Sequence, residues 1–133
     1  MRHFTPEEAN AALVHVRPLV ETMVAQRREH LDALERQEEL EGQIRGNGGG
    51  IPPATLAETA AEVERIARAL AQTVDAIAEQ GAEVKDLDEG LIDFPALRHG
   101  RTVLLCWRLG EDEIRYWHTL EDGFARRQEL PLE

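Results

Sequence analysis

The stretch Gly46-Asn47-Gly48-Gly49-Gly50-Ile51-Pro52-Pro53 divides one long helical segment into two, and it therefore decides the fold. Its glycines favour no single backbone conformation, and its prolines cannot continue an incoming helix. Helical periodicity is present on both sides of this break. Two helices joined by a short connection pack antiparallel. The sequence therefore predicts a helical hairpin over residues 1–80, with its tip at residues 46–53.

The helix before the break has a defined start. Thr5 is predicted as the N-cap, Pro6 suits the first helical position, and Glu8 completes a capping box. Apolar residues then recur at helical spacing. They are Ala9, Leu13, Val16, Val20, Met23, Val24, Leu31 and Leu34. Pro18 interrupts this helix, and a kink is expected there because its ring clashes with the preceding turn.

The helix after the break is predicted to start near Thr55, with Glu58 completing a second capping box. Its apolar residues repeat every seven positions, which is typical of a coiled-coil seam. They are Leu56, Val63, Leu70 and Ile77. Laid side by side, the two helices leave residues 5–19 beyond the end of the second helix. That overhang is expected to bury its apolar face on the C-terminal segment.

Residues 81–133 have a different character, since five of the six aromatic Phe, Trp and Tyr residues fall between positions 94 and 124. Short strands are predicted at residues 84–87 and 91–94, and a hairpin at residues 102–109 and 114–119. We predict a register in which Trp107 lies opposite Tyr116. Trp107, Tyr116 and His118 then share the core face, and Cys106 and Trp117 share the other.

The predicted fold class is α+β: a long antiparallel helical hairpin, coiled-coil-like, followed by a small antiparallel β segment. A chain of 133 residues suits a single domain over residues 1–133. The hairpin occupies residues 1–80 of it, and the aromatic β-rich segment occupies residues 81–133.

Charge and cysteine content narrow the function classes. The formal net charge is −11, which argues against nucleic acid and anionic membrane as partners because phosphate binding needs clustered Lys and Arg. Cys106 is the single cysteine, so no internal disulfide can form and a reducing compartment is expected. The N-terminus has no apolar run of a signal peptide, and no stretch reaches a membrane span of about 20 apolar residues. A cytoplasmic location is therefore expected.

Several short strings along the chain resemble one known family. They are Phe4-Thr5-Pro6-Glu7-Glu8-Ala9-Asn10, Val16-Arg17-Pro18-Leu19, Val84-Lys85-Asp86, Gly90-Leu91-Ile92-Asp93-Phe94-Pro95, Gly100-Arg101-Thr102-Val103-Leu104-Leu105-Cys106-Trp107, Gly110-Glu111, Trp117-His118 and Gly123-Phe124. Together these strings resemble the prokaryotic family catalogued as domain of unknown function 2203. The resemblance implies a small intracellular protein, and it brings no established activity, ligand or catalytic residue.

Four residues of the C-terminal segment have side chains that suit a metal or a nucleophile: Asp93, Cys106, Glu111 and His118. Their spacing matches no zinc signature. The predicted register also places Cys106 and His118 on opposite faces, although a one-residue slip would reunite them. The sequence therefore favours Cys106 as a small buried hydrophobe and His118 as a hydrogen-bonded strand residue. No cofactor is implied. Glu111 is expected to serve the turn and to face solvent.

Asp93 lies inside an apolar run, so a buried carboxylate there needs a partner. The favoured interpretation is an ion pair with a nearby arginine, for which Arg98, Arg101 and Arg108 are available. The other interpretation is a polar pocket in which Asp93, Arg101 and His118 bind a small anionic or polar ligand. The sequence leaves both interpretations open.

Three functional hypotheses follow. A second apolar stripe on the first helix, formed by Ala11, Val14, Pro18 and Ala25, favours a non-enzymatic interaction or oligomerisation protein, most simply a homodimer. A ligand- or metal-binding protein, or an enzyme, with its site in the aromatic segment is the alternative. The third is a protein that inserts its acidic tip (Glu38, Glu39 and Glu41) into a larger machine, an architecture similar to that of coiled-coil transcription factors of the Gre type. Since no catalytic motif is present, the sequence leans away from an enzyme.

Overall fold

The computed structural model describes residues 2–47 and 50–132, and it confirms the α+β class: two long helices packed together, then an antiparallel sheet. The helices are α1 (Pro6–Asn47) and α2 (Pro53–Glu79). The strands are β1 (Glu83–Asp86), β2 (Leu91–Arg98), β3 (Arg101–Arg108), β4 (Tyr116–His118) and β5 (Gln128–Glu129), with a single 3₁₀ turn at Phe124–Arg126 before β5. Each strand pairs with the next along the chain, so the sheet is a meander in the order β1-β2-β3-β4-β5.

The start of α1 is confirmed as a capping box. The Thr5 N–H donates to Glu8 Oε1 at 2.9 Å, and the Glu8 N–H donates to Thr5 Oγ1 at 3.1 Å. At its other end α1 continues through Gly46 to Asn47, so the connection between the helices is shorter than the predicted tip of residues 46–53. The predicted tip residues Gly48 and Gly49 lie outside the described residues.

The start of α2 lies two residues before the predicted Thr55, and the predicted capping box with Glu58 was wrong. The helix begins at Pro53, its N-cap is Pro52, and no side-chain hydrogen bond from Glu58 or any other described residue caps it. Proline is pre-set for the first helical position because its φ is fixed near the helical value. The Thr55 N–H instead donates to the Pro52 carbonyl at 3.0 Å. The two consecutive prolines therefore start α2 before Thr55, and the Thr55 hydroxyl does not cap the helix.

The two helices run side by side, with Arg36 of α1 2.6 Å from Glu62 of α2 across the hairpin. The buried residues of α2 follow helical spacing of four and three: Ile66, Leu70, Thr73 and Ile77. Two of the predicted seam residues, Leu70 and Ile77, are among them, while Leu56 and Val63 near the tip are half-buried. Burial therefore increases along the hairpin toward the sheet.

The N-terminal half of α1 packs on the sheet, as predicted for the overhang. Leu13, Val16 and Val20 belong to the same buried cluster as Trp107, which has no exposed surface. The approach is close at Gly90, which has a φ of +68° and where an added Cβ would lie 2.9 Å from Val20 Cγ1. Trp107 is therefore a core residue, as its place on the predicted apolar face required.

The predicted register of the hairpin was wrong by one residue. Cys106, not Trp107, pairs with Tyr116, and Leu104 pairs with His118. Directly opposed residues of an antiparallel pair point to the same face, so Tyr116 and His118 point away from the helices. Trp117 takes the core position that Tyr116 was expected to hold, and it is buried. This register places the indole of Trp117 in the core and keeps the phenol of Tyr116 out of it.

Both faces of the central strands are covered. Residues 92–96 of β2 and 103–107 of β3 are all buried. The helices cover one face, and the segment after β4 lies on the other, where the Arg127 guanidinium stacks 4.0 Å from the Tyr116 ring. β2 is longer than predicted and runs through Pro95 to a tight turn at His99 and Gly100, both with positive φ. We call the face of the sheet beneath the C-terminal segment the covered face, and the face beneath the two helices the helix face.

Candidate functional site

Three neighbouring strands bring Asp93, Cys106 and His118 together on the covered face. Asp93 of β2 pairs directly with Cys106 of β3, and His118 of β4 pairs with Leu104, two residues along β3. Side chains alternate between the faces of a sheet, so all three point the same way. Each offers a ligand atom, and these atoms all lie within 4.8 Å of one another. Their exposed fractions are 1%, 0% and 4%, respectively.

The His118 ring is held at both nitrogens. Nδ1 lies 2.8 Å from the Thr119 carbonyl oxygen, and Nε2 lies 3.1 Å from Asp93 Oδ2. A carbonyl oxygen only accepts hydrogen bonds, so the chemistry places a hydrogen on Nδ1. In the neutral ring Nε2 then carries a lone pair that points into the cluster. This contact therefore needs a proton, or another cation, between Nε2 and the carboxylate.

The Asp93 carboxylate is only partly satisfied. Oδ1 is fully buried and has no hydrogen-bond partner within residues 2–47 and 50–132. Burial raises the pKa of Asp93 above its ordinary value, and this effect outweighs the opposing influence of His118, of Lys85 and of a weak hydrogen bond from the Cys106 thiol. A buried, unsatisfied carboxylate oxygen is costly and rare in folded proteins. The position next to Asp93 therefore suits a positively charged group.

Cys106 is an unreactive thiol in this arrangement. Burial, reinforced by the negative charge of Asp93, raises the pKa of Cys106 to about 12. The thiolate is the nucleophilic form of cysteine. At neutral pH the side chain stays protonated, so the geometry does not support a cysteine nucleophile activated by His118. A thiolate at Cys106 needs a nearby cation that displaces the proton.

Arg127 is a site residue that the sequence did not reveal. It lies beside Cys106, where it lowers the pKa of the thiol against the larger effect of burial. Glu111 holds it through an ion pair of 2.8 Å, and Phe124 stacks at 4.2 Å from its guanidinium.

The Glu111 carboxylate also accepts the Arg108 N–H at 2.8 Å, which confirms the role of Glu111 in the turn. Its side chain is only 19% exposed, so the expectation that it faces solvent was wrong.

A small pocket of about 190 Å³ opens beside the cluster. Two of the three clustered side chains, Asp93 and His118, line it, and the other walls are Lys85, Leu91, Leu104, Leu120, Gly123 and Phe124. Lys85 is the single lysine of the chain and the only cationic residue in this wall. Cys106 does not line the pocket, and Arg127 lies beside its thiol. The cluster therefore has a closed side and an accessible side.

The predicted arginine partner of Asp93 was wrong, because its hydrogen bond goes to His118. Arg98 is five residues from Asp93 along β2, so strand alternation turns it to the helix face, where it stacks on Trp117. Arg101 pairs with Arg98 at the far end of the hairpin and lines a separate pocket with Trp117. Arg108 does lie on the covered face, but its guanidinium reaches Glu89 at 3.5 Å. Asp93 and His118 thus come together without Arg101.

The four residues proposed as an oligomer interface all lie on the exposed side of α1: Ala11, Val14, Pro18 and Ala25. Val14 is the most exposed large apolar side chain of the described residues, at 69%. The tip residues Glu38, Glu39 and Glu41 are exposed as well.

The fold and the buried cluster define a class of protein: a helical hairpin packed on an antiparallel meander, with a buried Asp–Cys–His cluster beneath the C-terminal segment. The chain belongs to the family described as "Uncharacterized conserved protein (DUF2203)", whose model matches residues 2–130. No curated protein and no solved structure matches the chain. Among the described residues, no helix is long and apolar enough to cross a membrane.

Proposed function

We propose that this protein binds one transition-metal ion, with Zn²⁺ as the best fit, through Asp93, Cys106 and His118. The observation that carries the proposal is the buried cluster itself, in which Asp93 Oδ1 has no hydrogen-bond partner among the described residues. A cation bound between the three side chains satisfies that oxygen and neutralises the charge that burial opposes.

The donor set supports zinc over the alkaline-earth ions. Thiolate, imidazole and carboxylate are all ligands of zinc, whereas Mg²⁺ and Ca²⁺ take oxygen ligands. Tetrahedral zinc holds neighbouring donor atoms about 3.3–3.6 Å apart. His118 Nε2 and Asp93 Oδ2 are already 3.1 Å apart, and donor atoms separated by up to 4.8 Å need to contract by about 1.5 Å at most. Side-chain rotations supply a movement of that size without a change in the strands.

The surroundings of His118 also support the proposal. Metal-bound histidines donate their second ring N–H to a carbonyl or carboxylate, which fixes the tautomer and the ring orientation. The Nδ1 contact to the Thr119 carbonyl, at 2.8 Å, has this form. All three ligands lie on paired strands, which hold a site more rigidly than loops do.

The local charges balance around a divalent ion. Zinc requires deprotonated Asp93 and Cys106, and these two negative charges match the two positive charges of the ion. Arg127 beside Cys106 is already neutralised by Glu111 at 2.8 Å. The bound site is therefore close to neutral overall, which suits its burial.

Isothermal titration of chelator-treated protein with Zn²⁺ tests the proposal. We expect one ion per chain, and a loss of binding in Cys106→Ala and in His118→Gln. The matched control is His15→Gln, because His15 lies exposed on α1 away from the cluster. Wild-type protein that takes up no zinc, or variants that bind as the wild type does, would reject the site.

A homodimer is the second candidate function, and the exposed stripe on α1 favours it. Val14 at 69% exposure lies on the same helix face as Ala11 and Pro18. Apolar surface that a chain leaves uncovered marks interaction sites, and a helix stripe suits a symmetric pairing with a second copy. The mass in solution distinguishes a dimer from the 15.0 kDa monomer.

A further inference from the structure

The cluster offers three ligand atoms from the described chain, and two of the three side chains line a pocket. Cys106 is shielded by the C-terminal segment, where Arg127 lies beside it. Asp93 and His118 line the pocket of about 190 Å³. Zinc sites with three protein ligands keep their fourth position for water or an exogenous ligand. An ion held by this cluster has its fourth position on the pocket side.

One cation faces that position. Lys85 lines the pocket, and its ammonium group acts electrostatically on Asp93. Its other contact is an exposed pair with Glu83 at 3.0 Å, with the two side chains 40% and 41% exposed. Exposed pairs of this kind hold weakly, so the ammonium group can turn to a ligand in the pocket. Because Asp93 binds the ion, Lys85 remains as the charged side chain of the pocket wall that is available to a ligand.

The rest of the wall is apolar. Leu91, Leu104, Leu120 and Phe124 line the pocket around Lys85. A volume of about 190 Å³ equals that of roughly six water molecules at about 30 Å³ each. This excludes ligands of drug size, for which pockets start at about 300 Å³. The walls therefore suit a ligand with an anionic head and a short alkyl tail.

We infer that the fourth position of the bound ion takes a short-chain carboxylate, with Lys85 binding the carboxylate head and Leu91, Leu104 and Phe124 contacting its tail. The inference rests on the proposed metal site and adds to it the class of ligand. The carboxylate binds by replacing a water molecule on the ion, so no bond within the ligand changes.

Cobalt(II) bound in place of zinc makes the test visible, because its absorption spectrum changes with its coordination. Wild-type protein loaded with Co²⁺ is titrated with acetate and with butyrate, and sodium perchlorate at equal ionic strength is the control. We expect a saturable change in the visible bands. Butyrate should bind about tenfold more tightly than acetate, because it buries two more methylene groups.

The variant Lys85→Met separates the head-group contact from the ion. It should retain Co²⁺ and bind butyrate about tenfold more weakly than wild type, because one charge-assisted contact is lost. Lys85→Arg is the control that keeps the charge. Equal butyrate affinity in wild type and Lys85→Met would overturn the assignment of Lys85.

Two further outcomes separate this inference from the metal site beneath it. Protein that binds Co²⁺ but shows no spectral change with either carboxylate overturns the ligand and leaves the metal site standing. Protein that fails to bind Co²⁺ overturns the metal site, and the carboxylate inference with it.

Discussion

Nε2 of His118 lies 3.1 Å from Oδ2 of Asp93, although 25 residues separate them along the chain. Both side chains are buried, and the second carboxylate oxygen has no hydrogen-bond partner in the described part of the chain. Sheet pairing alone brings them together, since each follows from the register of β3 with its two neighbours. A positive charge bound beside this pair therefore stabilises it, and either a proton or a metal ion can supply that charge.

Zinc should stabilise the fold. A ligand that binds only the folded state at a concentration of 100 times its Kd adds about 2.7 kcal/mol to the free energy of unfolding. Urea denaturation of chelator-treated protein, with and without added Zn²⁺, measures this difference. In Asp93→Asn the difference should shrink toward zero, because the amide is a poor zinc ligand. An equal stabilisation in wild type and variant would place the zinc elsewhere.

The metal-free protein should lose stability as pH rises through the titration of Asp93. Its folded pKa is raised above the ordinary value of 3.8, so the folded state holds a proton that the unfolded state has released. Stability therefore falls with rising pH between 3.8 and the folded pKa. Urea denaturation over a pH series, with chelator present, compares wild type with Asp93→Asn.

That variant removes the titration of Asp93, whereas every other carboxyl group titrates in both proteins. The free energy of unfolding of wild type minus that of Asp93→Asn should decrease as pH rises through this window. A difference that stays constant, or that grows with pH, contradicts a raised pKa for Asp93.

Cys106 should resist alkylation in the folded, metal-free protein. Burial and the charge of Asp93 raise its pKa to about 12 from an ordinary value of 9.0, so its thiolate population at neutral pH is about a thousandfold lower than in the unfolded chain. Mass spectrometry after iodoacetamide treatment should show labelling slowed by at least about a hundredfold relative to protein in urea. Comparable rates in the two states would refute the closed environment.

The exposed stripe on α1 should mediate a homodimer. Light scattering at micromolar concentration is expected to give about twice the 15.0 kDa monomer mass. Val14→Glu introduces a charge at the 69% exposed position and should return the monomer without loss of stability. Glu21→Lys, also on the exposed surface of α1, is the control for a simple change of charge. A wild-type mass that stays at the monomer value on concentration would remove this candidate.

Local signals in the sequence predicted both helices and the cap of α1, but not the cap of α2 or the exposure of Leu31 and Leu34. The capping box at Thr5 and Glu8 depends on residues three positions apart, and it forms as predicted. The two prolines at 52 and 53 predict a break, and they also start α2, since a helix start tolerates proline where a helix interior does not.

The register of the hairpin could not be fixed from periodicity. Tyr116 and Trp117 are adjacent aromatic residues, so either one can be assigned to the core face, and a one-residue slip reverses every side chain of β4. The structure selects Trp117, and that choice moves His118 next to Cys106. The candidate site was therefore present in the sequence as three plausible residues, but its assembly depended on a choice that the pattern leaves open. Arg127 had no signal in the sequence. It lies just before β5, and that strand covers only Gln128–Glu129, which is too short for a strand pattern to be recognised.

X-ray absorption spectroscopy at the zinc edge, on wild-type protein loaded with one equivalent of Zn²⁺, tests the central claim most directly because it reports the donor atoms themselves. We predict one sulfur donor at about 2.3 Å, from Cys106, and nitrogen or oxygen donors at about 2.0–2.2 Å, from His118, Asp93 and an exogenous ligand. In Cys106→Ala the sulfur shell should disappear. A shell of nitrogen and oxygen donors alone in the wild-type protein would contradict the assignment of the metal to this cluster.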